Sequence, residues 1–261
     1  MIEGITRLQL AALFLAGGLG GFLNAVAGGA SLVVFPILVL IGLAPKEANA
    51  TNNLATTLVA IQSYLDYRRR GVLDDGHTLK LTIPVLLGAG LGAFSVVSLS
   101  REVFARLVGF LLLASLAIVL HKPTPHAPEP PVENRGRLSI ARRHQAVLGF
   151  LLFLGLGIYG GFFGGGIGML MLPLISSLFG LDLVAANRVK TGLVALMNLS
   201  ACAVFLYHDM VNFSAAAVVY GGMMIGSIVG VRTAVRKGER FLRPLLVGVT
   251  ALASAYFLFW I

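Results

Sequence analysis

Long stretches of this sequence contain no charged residue, and this absence limits what the chain can fold into. Among them are 8–45, 81–100, 107–120, 146–181 and 191–207. A helix needs about 20 apolar residues to cross a bilayer, so each stretch is able to cross or enter a membrane. Only 12% of all residues are charged, whereas soluble domains carry about 25%. The sequence therefore predicts an all-α polytopic membrane protein, because the alternating polarity of a β-barrel is absent.

A glycine-rich break inside an apolar stretch occurs twice, half a chain apart. The first copy runs from Gly21 to Pro36 and the second from Gly161 to Pro173. Polar residues open the apolar stretch that follows each copy, namely Asn49, Asn52 and Asn53 after the first and Asn187, Lys190 and Thr191 after the second. Duplicated breaks in hydrophobic segments indicate the binding site of a transporter.

Each half of the chain is predicted to contain two short segments separated by glycines, followed by three longer segments. The predicted segments are 8–24, 28–42, 48–66, 78–98 and 103–120, then 145–162, 167–180, 185–207, 214–231 and 244–260. A stretch rich in proline and basic residues separates the halves and predicts a solvated linker. The predicted domains are a first transmembrane repeat at 1–120, the linker at 121–143 and a second transmembrane repeat at 144–261.

Loop charge decides how often each half crosses the membrane. If every glycine-split pair counts as one crossing, the 20 basic residues divide evenly between the two faces. If instead the two short segments of each pair enter the membrane and return to the same face, each half has five segments. One face of the membrane then has 16 basic residues and the other face has four. The second arrangement obeys the positive-inside rule and predicts both termini outside and the linker in the cytoplasm. An odd number of segments places the second copy upside down relative to the first, as an inverted repeat.

The short segments 28–42 and 167–180 are predicted to begin inside the bilayer, at the glycine-rich breaks. A helix start presents unpaired N–H groups and the positive end of the helix dipole, which suits an oxyanion. The predicted substrate-binding residues are Asn24, Gly28, Gly29, Ser31, Asn49, Asn52, Asn53, Gly164, Gly165, Gly166, Asn187, Lys190 and Thr191. Pro36 and Pro173 are predicted to act as hinges that let the two hairpins gate the site. Other glycines, among them Gly17, Gly88, Gly92, Gly222 and Gly226, are predicted to serve close helix packing.

Lys190 takes the place that Asn52 has in the first copy. Charge near the hydrocarbon is costly, so Lys190 is predicted to be the counter-charge of an anion, while Arg188 is predicted to extend to the cytoplasmic surface. No carboxylate lies inside an apolar stretch, which leaves a metal-cation carrier without hard ligands. The single cysteine, Cys202, excludes an intrachain disulfide, and neither a metal nor a cofactor is expected. The net charge of +9 fits cytoplasmic loops facing anionic lipid and not nucleic acid.

At these residues the chain resembles the sulfite exporter TauE/SafE family of membrane permeases. The resemblance rests on the duplicated glycine–proline motif and on the segments Ala48-Asn49-Ala50-Thr51 and Ala186-Asn187. It covers nearly the whole chain and implies an exporter of small sulfur-containing anions, such as sulfite or organosulfonates, in the bacterial inner membrane. The first copy departs from the motif, with Asn24 and Ser31 where the second copy has Gly164 and Gly168.

Other functions stay open at this point. The same scaffold could serve uptake of thiosulfate or another small anion, and a homodimer is open as well. An intramembrane enzyme ranks low, because no H-E-x-x-H motif, serine–histidine pair or paired intramembrane aspartates occur. A purely structural membrane protein would have no need of the duplicated breaks.

Overall fold

The computed structural model describes residues 6–27, 29–69, 76–121, 139–181 and 183–237, and all regular structure in these ranges is helical. The helices are α1 (Arg7–Ala27), α2 (Ala30–Leu40), α3 (Pro45–Arg69), α4 (His77–Ser98), α5 (Arg101–His121), α6 (Ser139–Phe162), α7 (Ile167–Phe179), α8 (Leu183–Tyr207) and α9 (Phe213–Lys237). The predicted all-helical class is confirmed for this part of the chain. The predicted segment 244–260 and most of the predicted linker lie outside the described residues.

Most predicted segments begin and end within three residues of the observed helices. The larger differences are at α6, which begins at Ser139 and not at 145, and at α9, which extends to Lys237 and not to 231. Both extensions carry arginines, Arg142 and Arg143 in α6 and Arg232 and Arg236 in α9. The apolar pattern marks where a helix leaves hydrocarbon, whereas the helix itself continues for as long as its backbone hydrogen bonds do.

Three helical stretches in the described ranges are long and apolar enough to cross a membrane: Arg7–Ala25, His77–Ser98 and Ala185–Tyr207. The helices α2 and α7 are also apolar but have only 11 and 13 residues. At 1.5 Å per residue such helices are about 16–20 Å long, too short for a hydrocarbon core of about 30 Å. Both therefore have the length of half-helices.

The helices pack in the same pairs in the two halves of the chain. In the first half α1 packs against α2, and α2 against α3; in the second half α6 packs against α7, and α7 against α8. Between the halves, α1 lies along α9 as α6 lies along α4, and α3 touches α9 as α8 touches α4. The contact between α3 and α8 joins the halves at the centre. Each described helix other than α5 thus has a counterpart with the corresponding main neighbours.

Glycines allow the two long helix pairs to approach closely. A Cβ on Gly17 or Gly222 would collide with backbone of the facing helix in the α1–α9 pair. In the α4–α6 pair the same holds for Gly92 and Gly161, which face Ile158 and Ala89. The packing role predicted for Gly17, Gly88, Gly92, Gly222 and Gly226 agrees with these collisions. Gly161, which opens the second copy of the motif, is also a packing residue.

Candidate functional site

A cavity of about 430 Å³ lies between α1, α2, α3, α7, α8 and α9. Its polar lining comes mainly from α3 and α8, which cross the centre of the molecule. The predicted site residues that line it are Asn24, Ser31, Asn52, Asn53, Gly164, Asn187, Lys190 and Thr191. The fold therefore brings residues from both copies of the motif, and from the polar segments that follow them, to one cavity.

The two half-helices begin at this cavity. Ala30 and Ser31 at the start of α2, and Ile167 and Gly168 at the start of α7, all belong to its lining. Gly29 precedes α2 and Gly166 precedes α7, and neither helix start has a side-chain cap. A helix without a capping side chain leaves N–H groups of its first turn to be satisfied by other partners. Two positive dipole ends therefore face the same cavity.

The start of α2 carries an oriented hydroxyl group. The Asn52 Nδ2 amide donates to the Ser31 Oγ at 2.9 Å. Because the Ser31 oxygen accepts this bond, its own proton is available to another acceptor. Asn52 and Asn53 are almost fully buried, and their Oδ1 atoms have no hydrogen-bond partner in the described part of the chain.

The start of α7 has no side chain at the corresponding place, since Gly168 stands where the first copy has Ser31. The nearby α8 supplies Lys190, whose side chain is buried and lines the cavity. No carboxylate forms an ion pair with Lys190 among the described residues. The cavity therefore contains a cation that is ready to pair with an anion.

Hydrogen bonds set the register of α3 against α8. The Asn187 Nδ2 amide donates to the Tyr67 hydroxyl, and the Asn198 Nδ2 amide donates to the Thr56 hydroxyl. The residue numbers increase along one helix as they decrease along the other, so the two helices are antiparallel. The cavity follows this contact from Asn52 to Tyr67 on α3 and from Asn187 to Asn198 on α8.

The tip of the second hairpin packs against α2 beside the cavity. Phe163 lines the cavity, and its ring packs edge-on against Phe35 of α2 with ring centroids 5.2 Å apart. The Gly164 amide donates to the Tyr159 carbonyl at 3.0 Å, so this amide closes the end of α6. Any backbone contribution of this tip to a ligand therefore comes from the start of α7. Gly164 and Gly166 have φ of +69° and +76°, which favours glycine at both positions.

Four predicted site residues do not line the cavity. Gly29 and Gly166 lie behind the helix starts, and Gly165 is packed beside Phe163 and Leu32. The Asn49 Nδ2 amide donates to the Phe162 carbonyl at 3.0 Å and thereby ties α3 to the end of α6. Gly28 lies outside the described residues. Of the two predicted hinges, Pro36 is buried and Pro173 is exposed, both inside their half-helices.

Arg188 does not reach the surface as predicted. Its side chain is only 7% exposed, and its guanidinium lies over the Tyr64 ring at 5.6 Å from the centroid. The prediction was wrong because Arg188 lies on a face of α8 that packs against Tyr64 of α3, where the guanidinium is covered. Within the described ranges, no three side chains of His, Cys, Asp or Glu come together as a metal site.

The sequence interpretation missed several polar residues that line the cavity, namely Thr56, Gln62, Ser63, Asp66, Tyr67, Asn198 and Ser227, and it also missed Gly168. A signal for some of them was present. Asn52, Thr56, Ser63 and Tyr67 follow one another at spacings of four, seven and four residues, which places them along one face of α3. Asp66 stands at the end of the predicted segment 48–66, beside Arg68 and Arg69, where a charged residue is expected whether or not it belongs to a site.

Comparisons with known proteins agree on one family. A family model described as "Sulfite exporter TauE/SafE" matches residues 13–257. The chain is 29% identical to a "Probable membrane transporter protein" of Haemophilus influenzae over 246 residues, covering 94% of this chain and 93% of the relative. It is likewise 29% identical to the "Probable membrane transporter protein YfcA" of Escherichia coli K12 over 259 residues, covering 98% and 91%. No solved structure matches the chain.

Proposed function

The chain belongs to the sulfite exporter TauE/SafE family of membrane transporters, and from this premise we propose that it exports a small sulfur-containing anion such as sulfite or an organosulfonate. The anion is bound in the central cavity, between the starts of α2 and α7. The protein is then a multi-pass transporter of the bacterial inner membrane, with the linker 121–143 in the cytoplasm.

One observation carries this proposal: two uncapped half-helix starts and a buried lysine line the same cavity. Backbone N–H groups at a helix start point along the axis and favour negative charge. Lys190 adds a full positive charge, and the oriented Ser31 hydroxyl adds a neutral donor. This combination of donors fits a compact oxyanion. The lining also contains the apolar side chains of Val59, Val194 and Ile228, which suit contact with the carbon body of an organosulfonate.

The equivalent packing pairs of the two halves support an inverted repeat, with a first repeat at 1–120 and a second at 144–261. Counterpart helices meet counterpart neighbours, as a two-fold relation through the α3–α8 contact requires. In the topology favoured by loop charge, the end of α3 with Arg68 and Arg69 faces the cytoplasm. In this arrangement each half-helix hairpin serves as a gate that bends at Pro36 or Pro173.

The open end of the cavity gives an anion access to the site. The cavity reaches the exposed side chain of Asp66, one turn from the end of α3, so in the proposed topology it fills from the cytoplasm. Movement of an anion out of a negative-inside cell is favoured by about 2.3 kcal/mol per charge for every 100 mV. An exporter therefore needs no coupling ion.

The proposal is tested by flux through the purified protein in liposomes, with ³⁵S-labelled sulfite and sulfoacetate trapped inside. We expect Lys190→Gln to raise the KM for the transported anion about tenfold or more, because a hydrogen bond to a charged group contributes about 1.5–3 kcal/mol. Lys80→Gln is the matched control, since Lys80 is exposed and lies outside the cavity. Unchanged KM in Lys190→Gln contradicts the proposed site, and absence of flux in the wild type contradicts the proposed substrates. Imposed potentials of either sign separate export from uptake.

A further inference from the structure

Lys190 needs an anionic partner at every stage of a transport cycle in which the cavity closes. Its side chain is 9% exposed even with the cavity open, and closure removes the remaining water. A buried charge without a partner is strongly unfavourable. In the loaded protein the transported anion supplies this partner under the proposed function, but the protein must also return without its cargo.

Asp66 is the acidic residue that lines the same cavity within the described part of the chain. Its side chain is 51% exposed and has one ion pair, with Arg69 three residues further along α3 at 4.0 Å. An exposed pair at this distance contributes little to stability. The Asp66 carboxylate is therefore available to exchange Arg69 for another cation.

The register of the two central helices places Asp66 and Lys190 at nearly the same height. Tyr67 and Asn187 are joined by a hydrogen bond, and the helices are antiparallel. Asp66 is one residue from Tyr67 and Lys190 is three residues from Asn187, both towards the centre of the molecule. At 1.5 Å per residue the two positions differ by about 3 Å along the helix axes. Both side chains face the cavity from opposite helices, so narrowing the mouth brings them together.

We propose that Asp66 is the substitute counter-ion of Lys190 in the empty transporter. When the anion is bound, Lys190 pairs with the anion and Asp66 stays with Arg69. When the anion has left, Asp66 pairs with Lys190 as the mouth closes, and the neutral pair allows the empty protein to return. This inference rests on the proposed anion transport and goes beyond it, because it makes Asp66 the residue that permits net transport and not only exchange.

The test separates net efflux from exchange in liposomes loaded with ³⁵S-labelled sulfite or sulfoacetate. Net efflux is measured into buffer without anion, and exchange into buffer with the same unlabelled anion. We expect Asp66→Asn to slow net efflux about tenfold or more relative to exchange, because the empty protein must then bury an unpaired cation. Preserved exchange shows that the variant is folded. Asp66→Glu, which keeps the carboxylate, is expected to retain the wild-type ratio.

Two further variants show whether Asp66 acts through Lys190. Glu102→Gln removes an exposed carboxylate outside the cavity and is expected to leave the ratio unchanged. Asp66→Asn combined with Lys190→Gln removes both charges and is expected to restore the wild-type ratio, measured at raised anion concentration. A wild-type ratio in Asp66→Asn, or any other result in the double variant, overturns the pairing. If the wild type performs neither net efflux nor exchange, the proposed function fails instead.

Discussion

Ser31 receives a hydrogen bond from Asn52, and this contact decides where its own proton can point. The Ser31 oxygen is occupied as an acceptor at 2.9 Å, while the hydroxyl lies in the first turn of α2 beside the cavity. Asn52 thus acts as a positioning residue, and Ser31 as the donor. In the second copy Gly168 stands in the place of Ser31 and Lys190 in the place of Asn52. The first copy therefore supplies a neutral donor, and the second copy supplies a positive charge.

We expect Ser31→Ala to raise the KM for the transported anion about tenfold, because a hydrogen bond to a charged group contributes about 1.5–3 kcal/mol. The measurement is concentration-dependent sulfite or sulfoacetate flux in liposomes. Ser63→Ala is the control, since Ser63 lines the same cavity on α3 but lies away from the helix starts. An equal KM change in both variants contradicts a specific role of the Ser31 hydroxyl.

Asn49 shows a different use of the same side chain. It donates to the Phe162 carbonyl and so holds α3 against the tip of the second hairpin. We expect Asn49→Ala to lower the free energy of unfolding by about 1–3 kcal/mol, because the partly buried Phe162 carbonyl is left without its donor. Differential scanning fluorimetry of the detergent-solubilised protein measures this change. Asn53→Ala, which removes no hydrogen bond of its side chain to a described residue, is expected to change stability less.

Among the elements, the pair α4–α6 depends on small residues along its seam. A methyl group on Gly161 would collide with the backbone of Ala89, whereas a methyl group on Gly155 of the same helix would meet nothing within 4 Å. The glycine that opens the motif therefore serves packing, and the residues after it serve the site. Gly161 thus packs against α4, whereas Phe163 and Gly164, two and three residues later, line the cavity.

We expect Gly161→Ala to destabilise the protein by about 1–3 kcal/mol, as overpacking of a close helix contact does. Gly155→Ala is expected to be neutral or to stabilise by up to about 1 kcal/mol, since alanine is the better helix former. Thermal unfolding of the two variants in the same detergent compares them directly. A similar loss in both would mean that the seam tolerates the added methyl group.

For the whole molecule, the paired packing of the two halves gives each described helix except α5 a counterpart. If the halves are inverted, the end of α3 and the loop after α8 lie on opposite faces of the membrane. Arg69 and His208 are both exposed residues at these two ends. They offer a direct test of the proposed topology.

In a Cys202→Ala background, we expect His208→Cys to react with a membrane-impermeant maleimide added to intact cells after permeabilisation of the outer membrane. Arg69→Cys is expected to react only after the inner membrane is disrupted, because its end of α3 is predicted to be cytoplasmic. Labelling of both cysteines from the same side contradicts the inverted repeat. The Cys202→Ala protein without added cysteine is the background control.

Much of this architecture is readable from the sequence. Uncharged apolar stretches predict the helices, because only segments with apolar surface and satisfied backbone hydrogen bonds are stable in the hydrocarbon of a bilayer. The duplicated break predicts that α2 and α7 start at glycines. The polar residues at the start of the next apolar stretch predict that α3 and α8 line the site. The prediction was less accurate where helices leave the apolar stretch, as at Ser139 and Lys237.

The sequence by itself determined the helical membrane class, the two half-helices and half of the polar residues that face the cavity. Only the tertiary structure decided which of these residues the cavity reaches. Asn49 and Asn53 lie one turn apart on the same face of α3, yet Asn49 is bound to Phe162 and Asn53 lines the cavity. The physical reason is that helical spacing determines the direction of a side chain, whereas the position of the facing hairpin tip determines what the side chain meets.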